Sequence, residues 1–181
     1  MIEFPPLPTF DALHPLVIHF PIALLLVAPL FVLVGALLPR ERGRAYQITA
    51  LVLMLCGTLG AFLAVASGEA AARIAERSES VNPVLERHQE LAETTRAVFA
   101  VLTVAFAALL FAPRWLKRIP APAMSGVLTA VFLVFYAAGA VVLANTAHNG
   151  GRLVHELGVT SAMSPPAPVA AAPATAESER D

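Results

Sequence analysis

Four apolar stretches, residues 16–38, 48–67, 97–112 and 123–146, constrain this chain more than any other feature. A helix needs roughly 20 apolar residues to cross the hydrocarbon core of a bilayer. Backbone groups placed there must be satisfied without water, which a helix achieves within one segment. The runs therefore predict an all-α fold, a bundle of four transmembrane helices. Only 14% of the 181 residues are charged, and no Asp, Glu, Lys or Arg lies inside a run. A net charge of −1, with no basic cluster above three residues, argues against a nucleic-acid partner. The single cysteine, Cys56, falls within the second run, which excludes an intrachain disulfide and a thiolate metal cage. The N-terminus lacks the basic segment and small-residue cleavage site of a signal peptide, so the first run is expected to be retained.

Punctuation between the runs sets the organisation. Residues 1–13, rich in proline, read as an irregular lead-in to a domain spanning 14–159. The first helix is expected to open at Pro15 with His14 as its cap. Pro21 and Pro29 lie inside it and leave the carbonyls of Val17 and Leu25 without their usual donors, so a kink is expected. The second helix stays helical in composition past Ser67, with Glu69, Arg73 and Arg77 at four-residue spacing. Asn82 as cap and Pro83 at the first helical position predict a third helix running to 112. Both helices exceed what a bilayer requires and are expected to form a hairpin projecting into water. The fourth helix is expected to begin after Pro120 and Pro122 and to stop near His148, where Asn149, Gly150 and Gly151 follow. Leu153, Val154, Leu157 and Val159 then suit an interface or a return against the bundle. Residues 160–181, rich in Pro and Ala, lack the apolar content to fold and read as disordered.

Two small-residue stripes, Gly60/Ala64/Gly68 and Ala137/Ala140/Ala144, have the spacing that lets membrane helices approach closely or pair in a homo-oligomer. Simple abundance of alanine explains them equally well. Arg40, Arg42 and Arg44 precede the second helix, and Arg114, Lys117 and Arg118 follow the third. Acidic residues outnumber arginines in the connection between those two helices. Positive loops stay cytoplasmic, and Tyr46 and Trp115 flank them as interfacial anchors do. A multi-pass protein of a bacterial inner membrane is expected, with both termini and the extended hairpin in the periplasm.

In that topology all five histidines share the periplasmic side: His14, His19, His88, His148 and His155. His19 lies about one turn inside its apolar run, and intramembrane ionisable residues are functional candidates by default. Its ring would equally serve to donate to a carbonyl freed by Pro21 or Pro29. His88 belongs to the stripe Val84, His88, Leu91, Thr95, which turns it into the bundle as a ligand or as a buried structural residue. Five residues separate His14 from His19, roughly 140° on a straight helix, which would not aim both at one ion. His14, His148 and His155 also fit surface or interface positions.

Imidazoles on facing helices are how bundles hold haem or a transition metal. Two at similar depth would suit haem b; three or four would suit copper or zinc. The chain has no CxxCH or HExxH motif, no nucleophile–base pair and no phosphate-cradling glycine loop. It reads as having no catalytic activity of its own. A permease would need a polar path, and Thr49, Thr58, Thr103, Ser125 and Thr129 are too sparse to build one.

The run His14-Pro15-Leu16-Val17-Ile18-His19-Phe20-Pro21-Ile22-Ala23-Leu24 resembles the opening of a bacterial family of four-helix membrane proteins, a domain of unknown function. Ser67-Gly68, His88 with Leu91, Gly150-Gly151-Arg152-Leu153-Val154 and Gly158-Val159 extend that resemblance over residues 13–159. His155 stands where an aromatic is common in that family, and no role is carried to it. The resemblance implies a multi-pass membrane protein, and association of relatives with c-type cytochrome or Rieske-type domains implies electron transfer. The expected function is thus a haem- or metal-binding membrane module of a respiratory chain, with His19 and His88 as primary ligands and His148 and His14 next. A scaffold or accessory subunit without a cofactor is the alternative.

Overall fold

The computed structural model describes residues 9–75, 78–115, 117 and 122–159. The expected tail at 160–181 and most of the lead-in fall outside them. A 3-10 turn, Asp11–Leu13, opens into α1 (His14–Val17) and α2 (His19–Leu37), which together make the first span. The other spans are α3 (Arg40–Ile74), α4 (Val81–Trp115) and α5 (Pro122–His155). Among the described residues four helices are long and apolar enough to cross a membrane, and only 22–39% of each apolar window is buried. The remainder faces outward with residues such as Leu30, Leu59, Val101 and Val134. Water would penalise that surface, and lipid does not.

The first span stays helical through Ile18 (φ −59°, ψ −33°), and its hydrogen-bond ladder is interrupted where Pro21 lacks the N–H that would reach the Val17 carbonyl. The next backbone bond, from Ile22 N–H to the Ile18 carbonyl, is long at 3.4 Å. Pro29 leaves the Leu25 carbonyl without a donor, and the Tyr136 hydroxyl of α5 supplies one at 2.6 Å. Pro39 ends α2, because the residue before a proline is pushed to extended backbone, and Leu38 has ψ 156°. The chain then reverses so tightly that Gly35 and Gly43 bring α2 and α3 into backbone contact.

At about 1.5 Å per residue, the 35 residues of α3 and of α4 each span roughly 50 Å, well beyond the hydrocarbon core. The cap of α4 differs from expectation. Ser78, not Asn82, accepts from the first turn, through its hydroxyl to Val81 N–H at 3.3 Å. The helix therefore starts at Val81, and Pro83 falls within the first turn, where a missing N–H costs nothing.

A larger correction concerns α5. It does not stop at Asn149; it runs through Gly150 and Gly151 to His155. Leu153 packs with Ala72, Val81 and Leu85 in a small apolar cluster, which Leu157 and Val159 join. That burial, with the Arg152–Glu156 pair at 2.9 Å, holds the extra turns. Gly158 (φ 66°) is the actual terminator. The main core lies deeper and gathers Leu25, Met54, Phe99, Phe132 and Tyr136 from all four spans.

Candidate functional site

Between the main core and the small cluster lies a polar layer built around two histidines. His14 opens α1, one residue inside the helix rather than at its cap. Its half-buried ring donates from Nδ1 to the Ala64 carbonyl of α3 at 2.9 Å, with the Ser67 hydroxyl 3.4 Å away. Gly68 lies beneath the ring, where a Cβ would come within 2.8 Å of His14 Cε1. The small-residue stripe of α3 is thereby explained: Gly60 admits Pro21, Ala64 offers its carbonyl and Gly68 seats the imidazole.

His88 turns inward from α4, as its apolar stripe predicts, and repeats this arrangement against α5. Its Nδ1 donates to the Thr146 carbonyl at 2.9 Å, and a Cβ on Gly150 would stand 3.0 Å from its Cε1. The glycines that looked like helix terminators thus include one whose role is clearance. Thr146 hydrogen-bonds Thr95 through its hydroxyl at 2.8 Å, tying α5 to α4 beside the ring. The second expected stripe is not used in this way, since Ala137 and Ala144 are exposed.

The two rings approach each other, with centroids 6.4 Å apart and planes at 82°. A carbonyl can only accept, so each Nδ1 carries the proton. In a neutral imidazole that leaves Nε2 as a lone pair, the state of a metal ligand or proton acceptor. A backbone carbonyl fixing the far nitrogen is also how metal-binding histidines are oriented. Among the described residues neither Nε2 has a hydrogen-bond partner.

The pair that meets is His14 with His88, not His19 with His88. His14 faces α3, whereas His19, five residues and roughly 140° further round the helix, is exposed, its Nδ1 donating to the Pro15 carbonyl one turn back at 3.0 Å. That carbonyl is neither of those freed by Pro21 and Pro29. His148 and His155 are exposed on α5, and Cys56 is exposed on α3. No group of three or more His, Cys, Asp or Glu able to hold a metal ion occurs among the described residues. Ser67, Thr95 and Thr146 belong to the layer although sequence reasoning gave them no role. Thr95 in the His88 stripe was the available signal.

Comparison with curated proteins and with solved structures finds no match. The profile of one family of predicted membrane proteins, DUF2231, matches residues 10–163, which contain both histidines, their carbonyl partners and all four spans; the chain belongs to that family.

Proposed function

We propose that the chain is a membrane module that holds a b-type haem between His14 and His88 and carries electrons at that end of the bundle. In this reading the histidine end faces the periplasm of a bacterial inner membrane, as the arginines at the opposite end favour. One observation carries it: two imidazoles on different helices, each pinned through Nδ1 to a carbonyl, with ring centres 6.4 Å apart. Two imidazoles sharing one metal at about 2.0–2.1 Å per bond would have ring centres on the order of 6 Å apart. Donor number favours haem over bare copper or zinc. Zinc wants four protein ligands or three with an open position, whereas a porphyrin brings four nitrogens and needs only axial ligands.

When bound, the haem iron would supply one-electron chemistry. The chain's own part is to orient the two rings and to keep water away with the apolar clusters on either side, which tunes the potential. A periplasmic electron carrier of c-type cytochrome or Rieske chemistry is the partner such a module calls for. His19 and His148, both exposed, are not ligands in this reading.

The test is an absorption spectrum with elemental analysis of the full chain purified gently in detergent. A Soret band lost in His14→Ala and in His88→Ala supports the reading. A colourless, metal-free protein that stays so after haem and metal addition defeats it. A scaffold reading would then take its place, because the same two bonds tie α1 to α3 and α4 to α5. Under that reading His14→Gln and His88→Gln, which retain a donor, fold as the parent does.

A further inference from the structure

We infer that the chain is two copies of one helical hairpin, that the His14–His88 site stands on the two-fold axis between them, and that each copy supplies one equivalent arm to a single shared metal centre. The shift that carries His14 onto His88 also carries Leu25 onto Phe99, Ala28 onto Leu102 and Val32 onto Phe106, and every one of those core positions is buried. On the second helix of each hairpin, one further shift carries Met54 onto Tyr136, Gly57 onto Gly139, Ala64 onto Thr146 and Gly68 onto Gly150.

The correspondence extends to contacts. A Cβ on Gly57 would come within 2.7 Å of Leu25 and 3.3 Å of Leu24. A Cβ on Gly139 would crowd Val98, the counterpart of Leu24, at 3.0 Å and Leu102 at 3.2 Å, with Phe99, the counterpart of Leu25, in ordinary contact at 3.7 Å. Each histidine lies on a glycine and donates to the carbonyl one turn before it. Across the axis the equivalent carbonyls of Leu25 and Phe99 each accept a side-chain hydroxyl from the other hairpin, from Tyr136 of α5 and, one turn away from its counterpart position, from Thr58 of α3 at 3.4 Å. Because α2 and α4 run in the same direction, the axis lies along the bundle, as in parallel membrane repeats. A position on such an axis presents identical chemistry from both sides. The two Nε2 lone pairs would then offer a bound metal centre equivalent ligands, not a strong ligand with a weak neighbour.

The metal centre rests on the haem reading; the repeat does not, and two measurements on the full chain separate them. In the first, ferric haem is added to the parent, His14→Ala and His88→Ala. Equal losses of affinity within about twofold, the same five-coordinate spectrum and restoration of both by imidazole are expected. A variant that keeps the parental spectrum while the other loses it overturns the shared site and leaves haem binding intact. In the second, histidine is labelled with nitrogen-15 and read by NMR without haem. Both rings should report the Nδ1–H tautomer, with Gly68→Ala moving only the His14 resonance and Gly150→Ala only that of His88. Different tautomers, or a glycine variant that moves neither ring, overturn the equivalence. Equivalence without any haem uptake removes the haem reading and keeps the paired arms.

Discussion

The hairpin α1–α3 and the hairpin α4–α5 follow one plan with opposite fillings. In the first, Gly57 lies against Leu25, Gly60 against Pro21 and Gly43 against the Gly35 backbone, so the helices close on each other with little between them. In the second, aromatic rings occupy the matching core. Phe99 meets Tyr136 edge-on with centroids at 5.3 Å, and Phe106 stacks on Phe132 at 5.0 Å. Backbone approach and ring packing are alternative ways to hold membrane helices, since hydrophobic burial gives little net drive in lipid. The comparison teaches that the polar layer is what the two halves share, while the packing beneath it was free to differ. The second solution also leaves a groove of about 800 Å³ between α4 and α5, lined by Ala105, Leu128 and Phe135 among others. In the first hairpin the positions matching Ala105 and Leu128 hold Phe31 and Tyr46, whose rings lie 6.1 Å apart.

The largest expected effect breaks the close-packed half at its tightest point. Gly43→Ala drives a Cβ into the Gly35 carbonyl, which is backbone and cannot rotate away. We expect a loss of about 3 kcal/mol, at the upper end of overpacking costs, measured by unfolding in detergent. The matching residue of the second hairpin is Ser125, and Ser125→Ala should be neutral. If both substitutions are silent, the contrast between the halves fails. Next comes Tyr136→Phe, which leaves the Leu25 carbonyl buried without a donor because Pro29 cannot supply one. About 2 kcal/mol is expected, within the range for an unmet buried polar group. Thr58→Val removes the bond to the Phe99 carbonyl together with the 2.9 Å bond to the Thr103 hydroxyl, yet Thr103, in the place of Pro29, retains an N–H for that carbonyl and a hydroxyl that can turn to it. Its effect should be several-fold smaller, and equal effects would show that proline does not cause the difference.

These residues also show what was legible beforehand. The four spans follow from apolar length alone, since no other structure satisfies such runs in lipid. Proline chemistry identified the Leu25 carbonyl as needing a donor, but Tyr136 lies 111 residues away and no local rule connects them. That the ring beside His88 belongs to His14 was hidden for a related reason. His19 stood out for its depth in the apolar run, and depth says nothing about which way a side chain turns. Five residues, roughly 140° of helix, separate the two, so the face that carries His14 onto α3 turns His19 outward. Gly150 was read as a terminator because sequence shows the missing side chain and not the ring that fills its place. The repeat is hidden for the same reason: its halves share positions and contacts, but few residue identities beyond the histidines and their glycines.

A smaller change should carry the packing of one half into the other. Ala105→Phe places a ring where the first hairpin has Phe31, over a groove already lined by apolar side chains. A gain of about 1 kcal/mol corresponds to roughly 2–4 °C in the unfolding midpoint for a chain of this size. Phe31→Ala should lower the midpoint by at least as much. A drop for Ala105→Phe would mean that the second hairpin cannot accept the first one's filling.

The smallest effect tests where the two halves are truly equivalent. Thr146 differs from its counterpart Ala64 only by side chain, and His88 uses the Thr146 carbonyl, not its hydroxyl. Thr146→Ala therefore keeps the acceptor and removes the hydroxyl bond to Thr95. Interhelical hydrogen bonds in membranes average about 0.6 kcal/mol by double-mutant cycle, so the unfolding midpoint should fall by no more than about 2 °C. The nitrogen-15 signature of His88 should stay in place and come closer to that of His14. If His88 instead changes tautomer, the hydroxyl and not the carbonyl sets its proton. The second arm of the site would then be built on a different principle from the first.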